Sequence, residues 1–199
     1  MIEYNSGKKL TEDGRYEITF ENFDGYKATY TFIIDTVAPE IALNGAEDGE
    51  TVNRDVSAAF EGEGITAELF RDGNSLGAYV SGMVIAEDGS YKIVVTDLAQ
   101  NKIELEFSID KTVDFAINVN DKGLSNSVTV TANEEVTLVL TKNGETVECK
   151  LGDAITEPAA YTLSVTDGLG NKAEMSFTVV EPLVRKFEHN FDEVSGFEK

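Results

Sequence analysis

The stretch Ile85-Ala86-Glu87-Asp88-Gly89-Ser90-Tyr91-Lys92-Ile93-Val94-Val95-Thr96-Asp97 alternates from Ser90 onward, with Tyr91, Ile93 and Val95 on one side and Ser90, Lys92 and Val94 on the other. Residues at i, i+2 and i+4 share a face only in an extended chain, so this is a half-buried β-strand and not a helix. The polar link Asp97-Leu98-Ala99-Gln100-Asn101 leads into a second alternating run, Ile103, Leu105, Phe107 and Ile109. Asp and Asn bond their own backbone, and the link therefore predicts a hairpin turn.

This pair of runs occurs three times. Leu10-Thr11-Glu12-Asp13-Gly14-Arg15-Tyr16-Glu17-Ile18-Thr19-Phe20 precedes Ala28, Tyr30, Phe32 and Ile34. Ile155-Thr156-Glu157-Pro158-Ala159-Ala160-Tyr161-Thr162-Leu163-Ser164-Val165-Thr166-Asp167 precedes Ala173, Met175, Phe177 and Val179, across the turn Asp167-Gly168-Leu169-Gly170-Asn171. Tyr16, Tyr91 and Tyr161 are spaced by 75 and 70 residues, and Phe32, Phe107 and Phe177 keep the same steps. A fixed period identifies the folding unit. Earlier in the two later units, Leu69-Phe70-Arg71-Asp72-Gly73 and Leu140-Thr141-Lys142-Asn143-Gly144 carry the Asp-Gly and Asn-Gly pairs of two-residue hairpins. No segment holds an amphipathic helical period over three turns. The expectation is an all-β chain of tandem antiparallel sandwiches, each of about seven short strands.

The repeat sets the boundaries: residues 1–35 as the closing part of a unit, 36–110 and 111–181 as complete units, and 182–199 as a tail or the start of another. Tyr4-Asn5-Ser6-Gly7 matches Tyr79-Val80-Ser81-Gly82 at the 75-residue offset, while earlier strands have no counterpart. The linkers Asp35-Thr36-Val37-Ala38-Pro39 and Asp110-Lys111-Thr112-Val113-Asp114 are short, which predicts an elongated array.

Composition narrows the function. Against 16 Lys and Arg stand 37 Asp and Glu, a net charge of −21 that repels phosphate backbones and anionic membranes. Nucleic acid is therefore not expected as a partner. One cysteine and one histidine allow no internal disulfide and no Cys-based zinc cage, and leave little for imidazole chemistry. Apolar runs fall far short of the roughly 18 residues that span a bilayer, so no membrane insertion is expected. Met1-Ile2-Glu3-Tyr4 does not open a signal peptide.

The segments Val95-Thr96-Asp97 through Phe107-Ser108-Ile109-Asp110, and Val165-Thr166-Asp167 through Phe177-Thr178-Val179, resemble bacterial immunoglobulin-like (Big-type) tandem repeats of surface and secreted proteins. The resemblance spans about residues 1–181; Phe20-Glu21-Asn22-Phe23 departs from it. It implies immunoglobulin-like sandwiches in an extracellular or cell-surface bacterial protein, acting as a non-catalytic spacer or stalk whose partners are neighbouring domains. The alternative is an adhesion or carbohydrate-binding module for a host protein or glycan. Immunoglobulin sandwiches place a tyrosine near the start of strand F, its hydroxyl bonded to upstream backbone, and Tyr16, Tyr91 and Tyr161 occupy that place here. Ile18, Ile93 and Leu163 stand where a disulfide cysteine would be.

No catalytic, cofactor-binding or metal-binding residue is assigned. Cys149, read as a small residue of a hairpin strand, and His189, in the tail, are the sole nucleophile-and-base candidates. Calcium at the junctions is the remaining cofactor option: Asp35 with Glu40, Asp110 with Asp114, each joined by Asp97 or Asp167, although such residues more often cap turns. Gly168-Leu169-Gly170 is too short for a phosphate loop, and Glu61-Gly62-Glu63-Gly64 reads as a loop. Arg54, Arg71 and Lys142 are read as isolated solvated cations. Tyr26 and Tyr79 are the aromatics considered for stacking on a glycan. Finally, Phe187, Phe191, Val194 and Phe197 could donate strands to residues 1–35 of another molecule, giving self-association through the incomplete repeats.

Overall fold

The fold is taken from a computed structural model that describes residues 7–182. All regular elements among these residues are strands. Packing divides the chain into one unit ending at Lys111 and another beginning at Thr112.

Among the described residues the first unit begins with a two-stranded hairpin, β1 (Gly14–Glu21) and β2 (Lys27–Ile34), paired antiparallel over its full length. A two-layer sandwich follows. One layer has β3 (Ala42–Asn44), β5 (Val56–Ala59) and β8 (Val84–Ile85), in the order β3-β5-β8. The other holds β4 (Thr51–Val52), β6 (Thr66–Arg71), β7 (Asn74–Ala78), β9 (Gly89–Thr96) and β10 (Lys102–Ile109), in the order β4-β10-β9-β6-β7.

The second unit repeats this plan. Its small layer runs β11 (Phe115–Ile117), β13 (Val128–Ala132), β16 (Ala154–Ile155). Its large layer comprises β12 (Leu124–Ser125), β14 (Val136–Lys142), β15 (Glu145–Val147), β17 (Ala159–Asp167) and β18 (Lys172–Val179), ordered β12-β18-β17-β14-β15. Each sandwich thus has eight strands where the alternation suggests seven. The first strand divides: β3 and β11 join the small layer, and β4 and β12 cross to pair in parallel with β10 and β18. These pieces are two or three residues long, too short for alternation to register.

The cores follow the period of two. Tyr91, Ile93 and Val95 are at most 4% exposed and meet Val52, Val56, Leu69, Ile85, Phe107 and Ile109 from both layers. Leu163 and Val165 are fully buried in the second unit, with Val128, Val130, Leu140, Phe177 and Val179 around them. Each large buried side chain contributes roughly 1.5–3 kcal/mol. Asp72-Gly73 and Asn143-Gly144 both adopt positive φ, the two-residue turn whose twist matches the strands it joins.

Candidate functional site

The residues that recur in every copy cluster at two places, the entry to the strand of Tyr16, Tyr91 and Tyr161 and the turn that follows it. At the entry, each tyrosine hydroxyl donates to the carbonyl four residues upstream: Tyr16 to Glu12 at 2.8 Å, Tyr91 to Glu87 at 2.8 Å and Tyr161 to Glu157 at 3.0 Å. Each ring stacks on the facing phenylalanine, with Tyr91–Phe107 and Tyr161–Phe177 both at 5.3 Å and Tyr16–Phe32 at 5.5 Å.

The sheet order, two layers joined across a split first strand, together with this tyrosine geometry decides the architecture. Both complete units are immunoglobulin-like sandwiches. No protein-family model matches the sequence. The outer cell wall protein of Brevibacillus brevis is 38% identical over 69 residues, which are 34% of this chain and 7% of that protein. The chain therefore matches a small fraction of that relative's length. Similar solved structures include a complex of Dpr2 and DIP-Theta immunoglobulin domains (TM-score 0.37, 12% identity, covering 83% of this chain and 72% of that one). Murine CEACAM1b is another (TM-score 0.31, 10% identity, covering 72% and 100%). A titin Ig tandem is a third (TM-score 0.30, 7% identity, covering 70% and 95%).

In these immunoglobulin-like repeats the turn after the tyrosine strand is an Asp–Asn device. Asp97 Oδ1 accepts the Asn101 N–H and Oδ2 accepts Asn101 Nδ2, both at 2.9 Å. Asp167 accepts the Asn171 N–H at 2.8 Å, the Leu169 N–H at 2.9 Å and Asn171 Nδ2 at 2.7 Å. The Asn101 side chain, then the local backbone N–H groups, hold the Asp97 carboxyl below the usual carboxylate range against a desolvation effect of opposite sign. Burial alone would push Asp167 up, but Asn171 and the N–H groups of Leu169 and Gly170 outweigh it, leaving that carboxyl low as well. The first copy keeps the turn despite its divergent sequence: Asn22 stands for the aspartate, accepting the Tyr26 and Asp24 N–H groups at 2.9 and 3.0 Å. Gly25, Gln100 and Gly170 hold the same left-handed position at φ 84°, 72° and 88°.

The asparagine also reaches the linker that precedes its own repeat. Asn101 Nδ2 donates to the Asp35 carbonyl at 3.1 Å, and Asn171 Nδ2 to the Thr112 carbonyl at 3.4 Å. A second anchor comes from the Glu-Asp-Gly entry. Asp13 accepts the Thr36 N–H at 3.0 Å and the Thr36 hydroxyl at 2.9 Å, and Asp88 accepts the Lys111 N–H at 3.2 Å. Lys111 Nζ adds bonds to Asp55 Oδ1 and the Ala86 carbonyl, both at 2.5 Å. The sequence reading missed the role of Asp13 and Asp88. Its signal was the recurrence of Glu-Asp-Gly at 12–14 and 87–89, which the third copy replaces with Glu157-Pro158-Ala159.

The remaining candidates fall as follows. Tyr79 is not an exposed platform: it is 3% exposed, its hydroxyl accepts the Ala58 N–H at 2.8 Å and donates to the Met83 carbonyl, and burial raises its pKa. A stacking ring must present a face, and this one is core. Tyr26 is 76% exposed, on the β1–β2 turn. Cys149 lies two residues beyond β15 and not in a strand, because the chain there leaves the large layer for β16. It is the counterpart of Tyr79, 70 residues on, and packs against the second core. Burial first, then Asp153, pushes its thiol up.

Arg71 and Lys142 are not isolated. Arg71 pairs with Glu87 and donates to the Asp88 carbonyl, and Lys142 pairs with Glu157, so each ties a hairpin to the tyrosine entry. Arg54 lies 3.7 Å from Glu50 at the surface. Of the junction acids, Asp35 Oδ1 accepts the Val37 N–H and Asp114 Oδ2 accepts Asn133 Nδ2. No group of three or more His, Cys, Asp or Glu converges among the described residues. Glu61-Gly62-Glu63-Gly64 is a loop next to Leu98, Gly64 having φ +71° where a side chain would meet that leucine. Gly168-Leu169-Gly170 lies within the β17–β18 hairpin turn. His189 and the apolar residues Phe187, Phe191, Val194 and Phe197 lie outside the described residues, as do Tyr4, Asn5 and Ser6.

Proposed function

We propose that this chain is a non-catalytic segment of a bacterial surface or secreted protein, in which tandem immunoglobulin-like units of the bacterial surface type space a functional domain from the cell envelope. The observation that carries the reading is the fixing of the linkers. Thr36 is bonded to Asp13 and the Asp35 carbonyl to Asn101, while Lys111 is bonded to Asp88 and the Thr112 carbonyl to Asn171. Within its own unit each of these side chains holds the backbone at that unit's end, which supports a spacer because a catalyst has no need of it.

The segment of 38% identity to an outer cell wall protein supports a surface location. The charge of −21 supports a solvated, self-repelling surface that resists non-specific association. No helix among the described residues is long and apolar enough to cross a membrane.

The test is display of an epitope on a cell surface through this chain. In-frame removal of residues 36–110 is expected to reduce antibody access to the epitope, and substitution of exposed loop residues is expected to leave it unchanged. A saturable interaction with a glycan or protein, abolished by substituting one loop while both units stay folded, would replace the spacer reading with a binding one.

A further inference from the structure

Among the described residues, the β1–β2 hairpin reproduces the last two strands of a complete unit without the strands that cover them. Its pairs Tyr16↔Phe32 and Ile18↔Tyr30 match Tyr91↔Phe107 and Ile93↔Leu105 in one unit and Tyr161↔Phe177 and Leu163↔Met175 in the other. In the complete units this face is the inner surface of the sandwich, with Ile93 fully buried and Phe107 2% exposed. In the hairpin Phe20 is 59%, Tyr30 63% and Phe32 37% exposed.

The edges differ in the same sense. β9 pairs with β6 on its outer side and β10 with β4, whereas β1 and β2 pair, among the described residues, only with each other. An apolar face with two open strand edges is a surface for β-augmentation.

We propose that this face docks the first half of an immunoglobulin-like repeat: a stretch equivalent to residues 42–85, supplying the counterparts of β3 to β8. Both complete units of this chain cover the corresponding face in that way and in that order. The hairpin is also preorganised for it, since the Tyr16–Glu12 bond and the Tyr16–Phe32 stack already have the geometry seen under cover. A second copy fits less well. The three exposed aromatics would bury roughly 300 Å² per copy, under the ~800 Å² per partner of a stable interface.

The proposal stands independently of the spacer reading, because it concerns completion of a fold and not the task of the array. The test joins a duplicate of residues 36–84 directly to Leu10, in the phase set by the 75-residue offset, and follows amide hydrogen exchange. Exchange in β1 and β2 is expected to slow at least ten-fold, towards the pace of β9 and β10. Phe20→Asp combined with Tyr30→Asp is expected to remove that protection and leave β9, β10, β17 and β18 unchanged.

Because Val95 occupies the Phe20 position in the repeat that donates the duplicate, Phe20→Val is made in parallel to relieve crowding. Unprotected β1 and β2 in both versions would overturn the proposal. So would a concentration-dependent dimer of the chain itself, measured by light scattering and abolished by Phe20→Asp, since that assigns the face to a second copy.

Discussion

Replacing Tyr161 with Phe removes one hydroxyl from the second unit and nothing else. The ring is 5% exposed and stacked on Phe177 at 5.3 Å, so its packing is retained. What is lost is the bond to the Glu157 carbonyl at 3.0 Å. Glu157 lies at the surface, so water can reach the freed carbonyl and the full penalty of a buried orphan does not apply. The expected cost is therefore about 1 kcal/mol, within the usual 0.5–1.5 range of a net hydrogen bond.

For a unit of this size that corresponds to a fall of roughly 4–8 °C in its melting temperature. Calorimetry, with amide exchange to show which unit has weakened, reads the effect. Tyr91→Phe is expected to do the same to the first unit. Tyr16→Phe, in a hairpin whose ring covers neither core, is expected to leave both transitions in place. A Tyr161→Phe loss below about 0.3 kcal/mol, or an equal loss from Tyr16→Phe, would refute the assignment of the bond as a stabilising corner that depends on its burial.

Other outcomes follow from the turns and the core. Gln100 holds a left-handed conformation that Gly25 and Gly170 hold in the other copies. Left-handed backbone costs a non-glycine residue about 1–2 kcal/mol, so Gln100→Gly is expected to raise stability by roughly 0.5–1 kcal/mol in urea unfolding, after the glycine entropy is set against it. Leu163→Ala, at a fully buried site, is expected to cost about 2–5 kcal/mol and to abolish the cooperative transition of the second unit alone.

The depressed Asp97 and Asp167 carboxyls give stability that is complete above the unfolded carboxylate pKa of about 4 and is lost as pH falls through their lower folded values. A pH series of melting temperatures is expected to fall below about pH 4, and less steeply in Asp167→Asn, which no longer titrates there. The Cys149 thiol, pushed up by burial, is expected to react with iodoacetamide at pH 7.5 about ten-fold more slowly in the folded protein than in urea.

Much of the fold is written in short-range pattern. Strand identity followed from the alternation at Tyr91-Ile93-Val95, the hairpins from Asp72-Gly73 and Asn143-Gly144, and the repeat from the spacing of Tyr16, Tyr91 and Tyr161. All of these are local: a pleat of period two and a turn of two residues need no knowledge of what packs above them. The tyrosine bond was expected from the resemblance to immunoglobulin sandwiches, and the structure sets its partner four residues upstream.

The tertiary structure decided what depends on distant partners. The division of the first strand into β3 and β4 shows only in which sheet each piece joins. The depth of Tyr79, whose hydroxyl meets Ala58 across the layers, could not be read from a sequence that leaves it beside Val80 and Ser81. Arg71 and Lys142 look like solvated cations until the fold brings Glu87 and Glu157 to them. Asp13 and Asp88 look like turn residues until Thr36 and Lys111, 23 residues later, return to them. The sequence by itself determined that the chain forms strands, where they turn and how often the unit repeats. Which face is covered, which acid holds the linker and which tyrosine is core were set by packing between segments that only the folded chain brings together.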